Sequence, residues 1–395
     1  FEKKMRKELI YIANKYKINI KDALKYSKYF KLVNKELIKW ENKDKDTIYI
    51  WNKINKLVYK GFIETYKKLN IKFNETIYES NIYLLGKKKI RDGILKRNFY
   101  YDKDNSIYYL YKGKKIILLR KNGTSLYLTQ EIGTLFYRLK KYKKLKLLIY
   151  VVGNEQTEHF KIFFNIIKKL NLSTNCIFVH CSYNTVNYLG KKIKSRYYKS
   201  NTTNLIFIDD LIYYMNKIIK KESIKKGKIN VNINNIDSIS LGTIKYQFLK
   251  INPKKIIDFD FNNIFKLKGN TGIYIQYTYV RILSILKKNK FNIFIINKNI
   301  KFYLNIIKNN EKDIIKLILE YYKIITYVKK KYDISILTTF LYNFTKKINY
   351  FYNRNKIINL DNIYKKNFRL IICKIILNFL YNNMKILGIP ILKNI

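Results

Sequence analysis

The chain has three cysteines, two prolines, two histidines and two tryptophans among 395 residues. Cys176, Cys181 and Cys373 cannot supply the paired framework of a disulfide-stapled secreted domain, so a reducing compartment, the cytoplasm, is expected. Cys176, His180 and Cys181 stand close together, yet Ile177, Phe178 and Val179 between them read as strand. Structural zinc takes four ligands, and no metal site is expected. No apolar run approaches the roughly 20 residues that cross a bilayer, and no cleavable signal peptide is visible. Acidic residues are scarce: 27 Asp+Glu against 81 Lys+Arg leaves a formal charge of 81 − 27 = +54. So much positive charge points to a polyanionic partner, nucleic acid first and an anionic membrane surface second. Lys, Asn, Ile, Tyr and Phe crowd the chain while Ala and Pro are nearly absent, as an AT-rich coding bias also produces. A solvated lysine face is the ordinary outcome of such a composition. The lysines run along the whole chain rather than forming a basic tail.

What is present centres on Leu148–Phe160. Leu148 to Val152 form a short β-prone run that stops at Gly153, and then the period changes. Phe160, Phe163, Phe164, Ile167 and Leu170 recur at three and four, one face of a helix. A buried strand, a glycine and a helix make half of a parallel βαβ crossover. Ligands in such sheets sit at the carboxyl ends of the strands, here Gly153, Asn154, Glu155 and Gln156.

Around this corner the chain divides by period. Residues 1–60 read as lysine-rich amphipathic helices, and Val58, Phe62, Ile63, Tyr66 and Leu69 continue the helical spacing. A linker is expected over Asn70–Asn81, then a hairpin of Ser106–Tyr111 and Lys115–Leu119 around Gly113. Asn122-Gly123 is a turn signal, followed by Thr124–Glu131 and a helix around Ile132–Tyr142. A second strand is predicted at Cys176–His180 and a third at Leu205–Ile208, with a basic loop, Lys191–Arg196, between them. Strands and helices alternating over residues 80–250 predict a doubly wound α/β sheet. From 272 onward long helical periods predict an all-α bundle, closed by a helix stop at Leu387-Gly388-Ile389-Pro390.

These pieces together resemble an arginyl-tRNA synthetase, a class I aminoacyl-tRNA synthetase, over about residues 60–395. The most specific segment is Gly269-Asn270-Thr271-Gly272-Ile273-Tyr274-Ile275-Gln276-Tyr277-Thr278-Tyr279-Val280-Arg281. It is similar to the family's Gly-[Asp/Asn]-Thr-Gly-Pro-Tyr-Leu-Gln-Tyr-x-His-x-Arg, with Ile273 in place of proline and Tyr279 in place of histidine. Gly242–Tyr246, Asp258-Phe259-Asp260, Glu79-Ser80, Asn122–Thr129, Phe340–Tyr352 and Leu387-Gly388-Ile389 match in the family's order. The resemblance implies a Rossmann-type catalytic domain, of which the second half is present, followed by a helical anticodon-binding domain. The expected division is 1–60, a helical segment; 61–262, the catalytic domain; and 263–395, the helical domain.

The resemblance assigns candidate roles. Tyr127 and Glu131 stand at the family's Tyr-x-x-x-Asp, and Gln156 at its glutamine beside the strand end, as contacts to arginine. An arginine pocket needs a carboxylate with amide and hydroxyl acceptors around a planar five-donor cation. Glu131 replaces the family's Asp and carries its carboxylate one methylene further out. Gly153, Glu155, His159 and His180 are expected at the nucleotide. The loop Lys192-Ile193-Lys194-Ser195-Arg196 resembles the family's Lys-Met-Ser signature. Lys192, Lys194 and Arg196 would meet charge developing on pyrophosphate, with Ser195 a possible phosphate donor.

The implied reaction is ATP-dependent attachment of L-arginine to tRNA(Arg) through arginyl-adenylate, with Mg2+ accompanying ATP as substrate and no tightly bound cofactor. A monomer with no membrane partner is expected. The alternative is a noncatalytic tRNA- or RNA-binding synthetase remnant, or a basic ribonucleoprotein component. The family's His-x-Gly-His segment and its N-terminal tRNA-binding domain have no counterpart here, and the first residue is Phe1. An N-terminally truncated sequence is expected; a split gene or a decayed synthetase would give the same pattern.

Overall fold

The computed structural model describes residues 2–172, 175–192, 207–225, 233–259, 269–289, 307–358 and 360–393. It divides into two compact units: Phe1–Leu148 with Glu158–Val179, and Ile149–Thr157 with His180–Ile395.

In the first unit helices α1 (Glu2–Tyr16), α2 (Ile20–Ala23), α3 (Lys28–Glu41) and α4 (Lys45–Lys68) come first. Side-chain caps start three of them: Asn19 Oδ1 accepts the Asp22 amide at 2.9 Å, Ser27 Oγ the Phe30 amide at 3.2 Å and Asp44 the Thr47 amide at 3.0 Å. Next come α5 (Glu79–Leu95), strands β1 (Tyr100–Tyr101), β2 (Ile107–Tyr111) and β3 (Lys114–Leu119), and α6 (Tyr127–Lys141). The three strands form an antiparallel sheet in the order β1-β2-β3, with the predicted hairpin at its centre. Gly113 turns that hairpin at φ +75°, a conformation L side chains rarely adopt.

Helices α5 and α6 cross at glycines. A Cβ on Gly133 would lie 2.7 Å from the Gly86 nitrogen and 2.9 Å from the Ile82 carbonyl oxygen, and one on Gly86 would strike the Thr129 carbonyl. Ile82, Ile90, Ile132 and Leu135 are buried on these two helices. Helix α7 (Thr157–Lys169) buries Phe160, Phe163, Ile166 and Ile167, the face its spacing predicts. The Tyr109 hydroxyl of the hairpin donates to Asn165 Oδ1 of α7.

Strands β4 (Leu147–Gly153) and β5 (Ile177–Tyr183) pair as a two-stranded sheet. The expectation of a buried β4 is corrected. Tyr150 is 7% exposed, but Ile149 is 39% and Val151 66% exposed, so the strand alternates instead of being covered on both faces. The third predicted strand is corrected at its described end: Ile208 opens helix α8 with Asp209 and Asp210 in the first turn, and residues 205–206 lie outside the described residues.

The second unit continues with β6 (Val186–Tyr188), β7 (Lys191–Lys192), α8 (Ile208–Lys225), α9 (Ile233–Leu249) and β8 (Ile257–Phe259). Strand β6 pairs antiparallel to β7 and parallel to β8. Four long helices follow: α10 (Gly272–Lys288), α11 (Asn309–Lys331), α12 (Ser335–Arg354) and α13 (Ile363–Ile386). They bear out the predicted bundle. One core joins Leu211, Met215, Ile236 and Ile244 of α8 and α9 to Ile282, Phe344, Ile376 and Leu380 of the later helices.

Candidate active site

Helix α6 begins at Tyr127, five residues before its predicted start. Tyr127 is 74% exposed. Glu131 follows at i+4, on the same side of the helix and one turn along. The glycine crossing with α5 leaves little freedom in where this turn sits. Burial pushes the Glu131 carboxyl above its ordinary value, Arg138 pulls it partly back, and Glu79 adds to the rise. Glu79 is the first residue of α5, at the end of what reads in sequence as a linker.

Glu79 also lines a cleft of about 810 Å3 with Glu36, Trp40, Trp51, Tyr59 and Gln130. Gln130 Oε1 and Trp40 Nε1 are buried there without a hydrogen-bond partner. In the sequence Glu79 stands out only within the Glu-Ser match. Its electrostatic reach to Glu131 depends on the α5–α6 crossing, which local spacing does not encode.

The start of α6 and the loop before it are tied to other elements. Thr129 Oγ1 donates to the Leu118 carbonyl of β3 at 2.6 Å. The Glu41 carboxylate of α3 pairs with Lys87 of α5 and accepts the Ser125 amide at 3.4 Å. Strand, loop and two helices therefore fix the turn that presents Tyr127 and Glu131.

In the second unit the corner after β4 is a single 3-10 turn, Asn154–Gln156. Gly153 is buried, and a Cβ there would meet the Glu155 carboxylate, which folds back over it. Asn154, Glu155 and Gln156 are all exposed. His180 Nε2 lies 3.2 Å from the Val152 carbonyl oxygen. A carbonyl only accepts, so Nε2 carries the proton in this contact. Gly153, Glu155, Gln156 and His180 are thus brought into one corner. His159 stands on α7 with its ring 5.4 Å from that of Phe160, nearly edge to face. Lys192 is exposed at the end of β7. Lys194, Ser195 and Arg196 lie outside the described residues. Among the described residues no group of three or more His, Cys, Asp and Glu could hold a metal ion, and no helix is long and apolar enough to cross a membrane.

The segment Gly269–Arg281 proves to be largely joinery. A Cβ on Gly272 would come 2.5 Å from the Gly242 carbonyl oxygen, so α9 and α10 meet through two glycines. Gln276, fully buried, donates to the Ser238 and Pro390 carbonyls at 3.2 and 3.1 Å. The Tyr246 hydroxyl bonds Asn270 Oδ1 at 2.6 Å. Tyr277 is 45% exposed and Arg281 half-buried beside it; the guanidinium sits 4.7 Å from the Tyr277 ring and 4.6 Å from that of Tyr352.

Comparison with known proteins gives the same order of parts. The family described as tRNA synthetases class I (R), catalytic domain, matches residues 2–263, and the DALR anticodon binding domain matches residues 275–395. The chain is 34% identical over 365 residues to an arginine--tRNA ligase of Parabacteroides distasonis, covering 90% of this chain and 60% of that protein. It is 37% identical over 375 residues to the arginine--tRNA ligase of Borrelia garinii subsp. bavariensis, covering 90% of this chain and 61% of that one. The chain therefore spans about three-fifths of the length of these curated relatives. Among solved structures, the arginyl-tRNA synthetase of Plasmodium falciparum superposes with a TM-score of 0.75 at 27% identity, over 98% of this chain and 67% of that one. The Thermus thermophilus enzyme, at 16% identity and TM-score 0.72 over 98% of this chain and 73% of that one, shares the fold.

Proposed function

Because the chain belongs to the arginine branch of the class I tRNA synthetases, we propose that it forms part of an arginine–tRNA ligase, activating L-arginine with ATP and passing it to tRNA(Arg). The observation that carries the reading is the succession of a catalytic-domain match over 2–263 and an anticodon-binding match over 275–395 in one chain.

In this reading Tyr127 and Glu131 receive the guanidinium, and Gln156 contacts the amino acid from the corner after β4. A half-buried carboxyl with a raised pKa and an acidic neighbour gains most from a bound cation, which relieves both the desolvation and the like-charge repulsion. Gly153, Glu155, His159 and His180 serve the nucleotide, Gly153 by letting the backbone approach closely. Lys192, Lys194, Ser195 and Arg196 act on pyrophosphate, where cations that meet charge only in the transition state lower the barrier. The arginine carboxylate attacks the α-phosphorus, the bond to the bridging oxygen breaks, and pyrophosphate leaves. The tRNA ribose hydroxyl then attacks the adenylate carbonyl and AMP departs.

Mg2+ enters with ATP as part of the substrate, and no step is assigned to it. Residues 61–262 hold the chemistry and 263–395 the anticodon arm, with residues 1–60 a helical segment ahead of them. The reading carries with it a monomer acting in the cytoplasm.

The test is ATP–pyrophosphate exchange by the natural product that contains these residues, with and without tRNA(Arg). Exchange that depends on arginine and on tRNA, and is lost in Gln156→Ala and Glu131→Ala, is expected. Exchange supported equally by lysine or citrulline would overturn the pocket assignment.

A further inference from the structure

The segment Asp258-Phe259-Asp260 matches the family in sequence, yet the reaction as proposed gives it no part. Strands β7, β6 and β8 lie side by side in that order, with β7 at the edge of this described sheet. Strand β7 pairs with β6 through Lys192 beside Asn187 and Lys191 beside Tyr188. On the other side of β6, β8 runs parallel, with Asp258 beside Asn187 and Phe259 beside Tyr188. From β8 the Asp258 carboxylate reaches past the end of β6 to the turn that joins β6 to β7. Both of its oxygens accept the Gly190 amide, at 2.9 and 3.1 Å.

That turn needs an outside hold. Its central residues, Leu189 and Gly190, have φ of +47° and +74°, as in a type I′ hairpin turn. Leucine is poorly suited to the left-handed region, where its Cβ crowds its own backbone. The dipeptide that specifies such a turn unaided is Asn-Gly. Leu189 is 60% exposed, so burial does not compensate. A carboxylate bonded two residues before Lys192 also weakens the pull of that lysine on an anion. An acid kept there despite that cost serves geometry.

The other end of the sheet is already seated. The Asn184 amide donates to the Pro253 carbonyl at 2.8 Å and its Nδ2 to the Lys254 carbonyl at 3.1 Å. The Ile257 amide donates to the Thr185 carbonyl at 3.1 Å. Asn252 Nδ2 donates at 2.5 Å to Asp333, in the turn between α11 and α12. Val186 and Tyr188 of β6 pack on the helical core. What remains to be set is the direction in which β7 leaves the turn.

We infer that Asp258 is a positioning residue for arginine activation: it holds the Leu189-Gly190 turn so that β7 delivers Lys192 at a fixed place. The inference rests on the proposed function, in which Lys192 meets charge on the departing pyrophosphate. A displaced Lys192 still attracts ATP, but it no longer meets the charge that develops only in the transition state. Asp258 acts through the turn and touches neither ATP nor arginine.

The experiment compares wild type, Asp258→Ala and Asp258→Ala/Leu189→Asn in the natural product that contains these residues. Two quantities are measured: arginine-dependent ATP–pyrophosphate exchange with tRNA(Arg) present, and deuterium uptake by the peptide carrying the Gly190 amide. Asp258→Ala should lower kcat about 10- to 100-fold, leave KM for ATP within about 2-fold of wild type, and speed uptake at Gly190. Leu189→Asn supplies a turn that holds itself, so the double variant should recover most of the kcat and of the protection. Should Asp258→Ala lower the melting temperature, Asp258→Asn takes its place. It keeps one neutral acceptor, and its kcat loss of about 3- to 10-fold should again be relieved by Leu189→Asn.

Wild-type kcat in Asp258→Ala, a loss confined to KM, or a loss that Leu189→Asn does not relieve would overturn the positioning role. Unchanged uptake at Gly190 in Asp258→Ala would overturn the hold on the turn. Wild type without arginine-dependent exchange would overturn the proposed function, and the role of Lys192 with it. The Gly190 measurement then still decides whether Asp258 holds the turn.

Discussion

At the scale of single residues, Glu131 is where the sequence departs from its family and where the structure says most. Its carboxyl is held above the usual carboxylate range chiefly by burial, with Glu79 adding to the effect. The ionised form is the one that can pair with a guanidinium, so in the proposed pocket protonation would compete with arginine. The expected outcome is an arginine KM that rises as pH falls through Glu131's raised pKa, at higher pH than an ordinary glutamate would impose. Glu131→Gln should flatten that rise and raise KM by about 10- to 100-fold at neutral pH, the cost of a charge-assisted hydrogen bond of about 1.5–3 kcal/mol. Steady-state exchange kinetics across pH measure both. A flat wild-type profile would remove Glu131 from the pocket. The pair Tyr127 and Glu131 could be found in the sequence only through the resemblance, since i,i+4 spacing is common to every helix. Glu79 could not be found as a partner of Glu131, because its reach depends on how α5 and α6 cross.

At the scale of elements, that crossing decides what one methyl group does. Alanine in place of a helical glycine gains up to about 1 kcal/mol of propensity. At Gly61 of α4 a Cβ would meet nothing within 4 Å, so Gly61→Ala should stabilise by about 0.5–1 kcal/mol. At Gly133 the Cβ would press on α5 backbone at 2.7 and 2.9 Å, and overpacking of about 1–3 kcal/mol outweighs the gain. Gly133→Ala should therefore lower the unfolding midpoint in urea where Gly61→Ala raises it.

Glu75 couples the segment before α5 to the end of α6. It accepts from the Tyr137 hydroxyl at 3.0 Å and the Tyr142 hydroxyl at 2.6 Å, and it pairs with Lys141. Its carboxyl is lowered to about 2, first by Lys141 and then by Tyr142. A lowered carboxylate contributes stability that is present above its unfolded value of 4.5 and is lost as pH falls toward about 2. Glu75→Gln should therefore be less stable than wild type at neutral pH, and the two should converge as pH falls toward about 2, so urea unfolding midpoints measured across pH should show a wild-type loss in that window that the variant lacks.

Element boundaries are legible in the sequence where a period is long and clean, as in α7, α11, α12 and α13. The pattern misleads at Tyr127 and Ile208. The β-prone run Thr124–Leu126 hides the start of α6, and Phe207-Ile208 looks like the end of a strand until Asp209 and Asp210 mark a helical first turn. Gly269–Arg281 is legible as a family segment, but its work of joining α9 to α10 is not.

At the scale of the whole molecule, a buried ion pair joins two long helices of the second unit. Arg369 and Glu311 are 2% and 1% exposed, and α11 and α13 meet through them. Removing one partner strands the other, so Arg369→Met should destabilise by about 3–5 kcal/mol, while Arg369→Met/Glu311→Leu should recover much of the loss. Equal melting of the single and double variants would show that the two side chains do not act as a pair.

The outward face of β4 bears on how the protein behaves at high concentration. Leu147–Gly153 reads LLIYVVG, uncharged and without proline, and its side chains at Ile149 and Val151 stand in solvent. Segments of this kind stack with copies of themselves into cross-β ladders. A formal charge of +54 on each molecule opposes such stacking. At about 1 M ionic strength the screening length shrinks to roughly 3 Å, and that protection is lost. The protein should then cloud on adding simple salt at constant pH, and Val151→Lys, a single gatekeeper charge, should keep it clear.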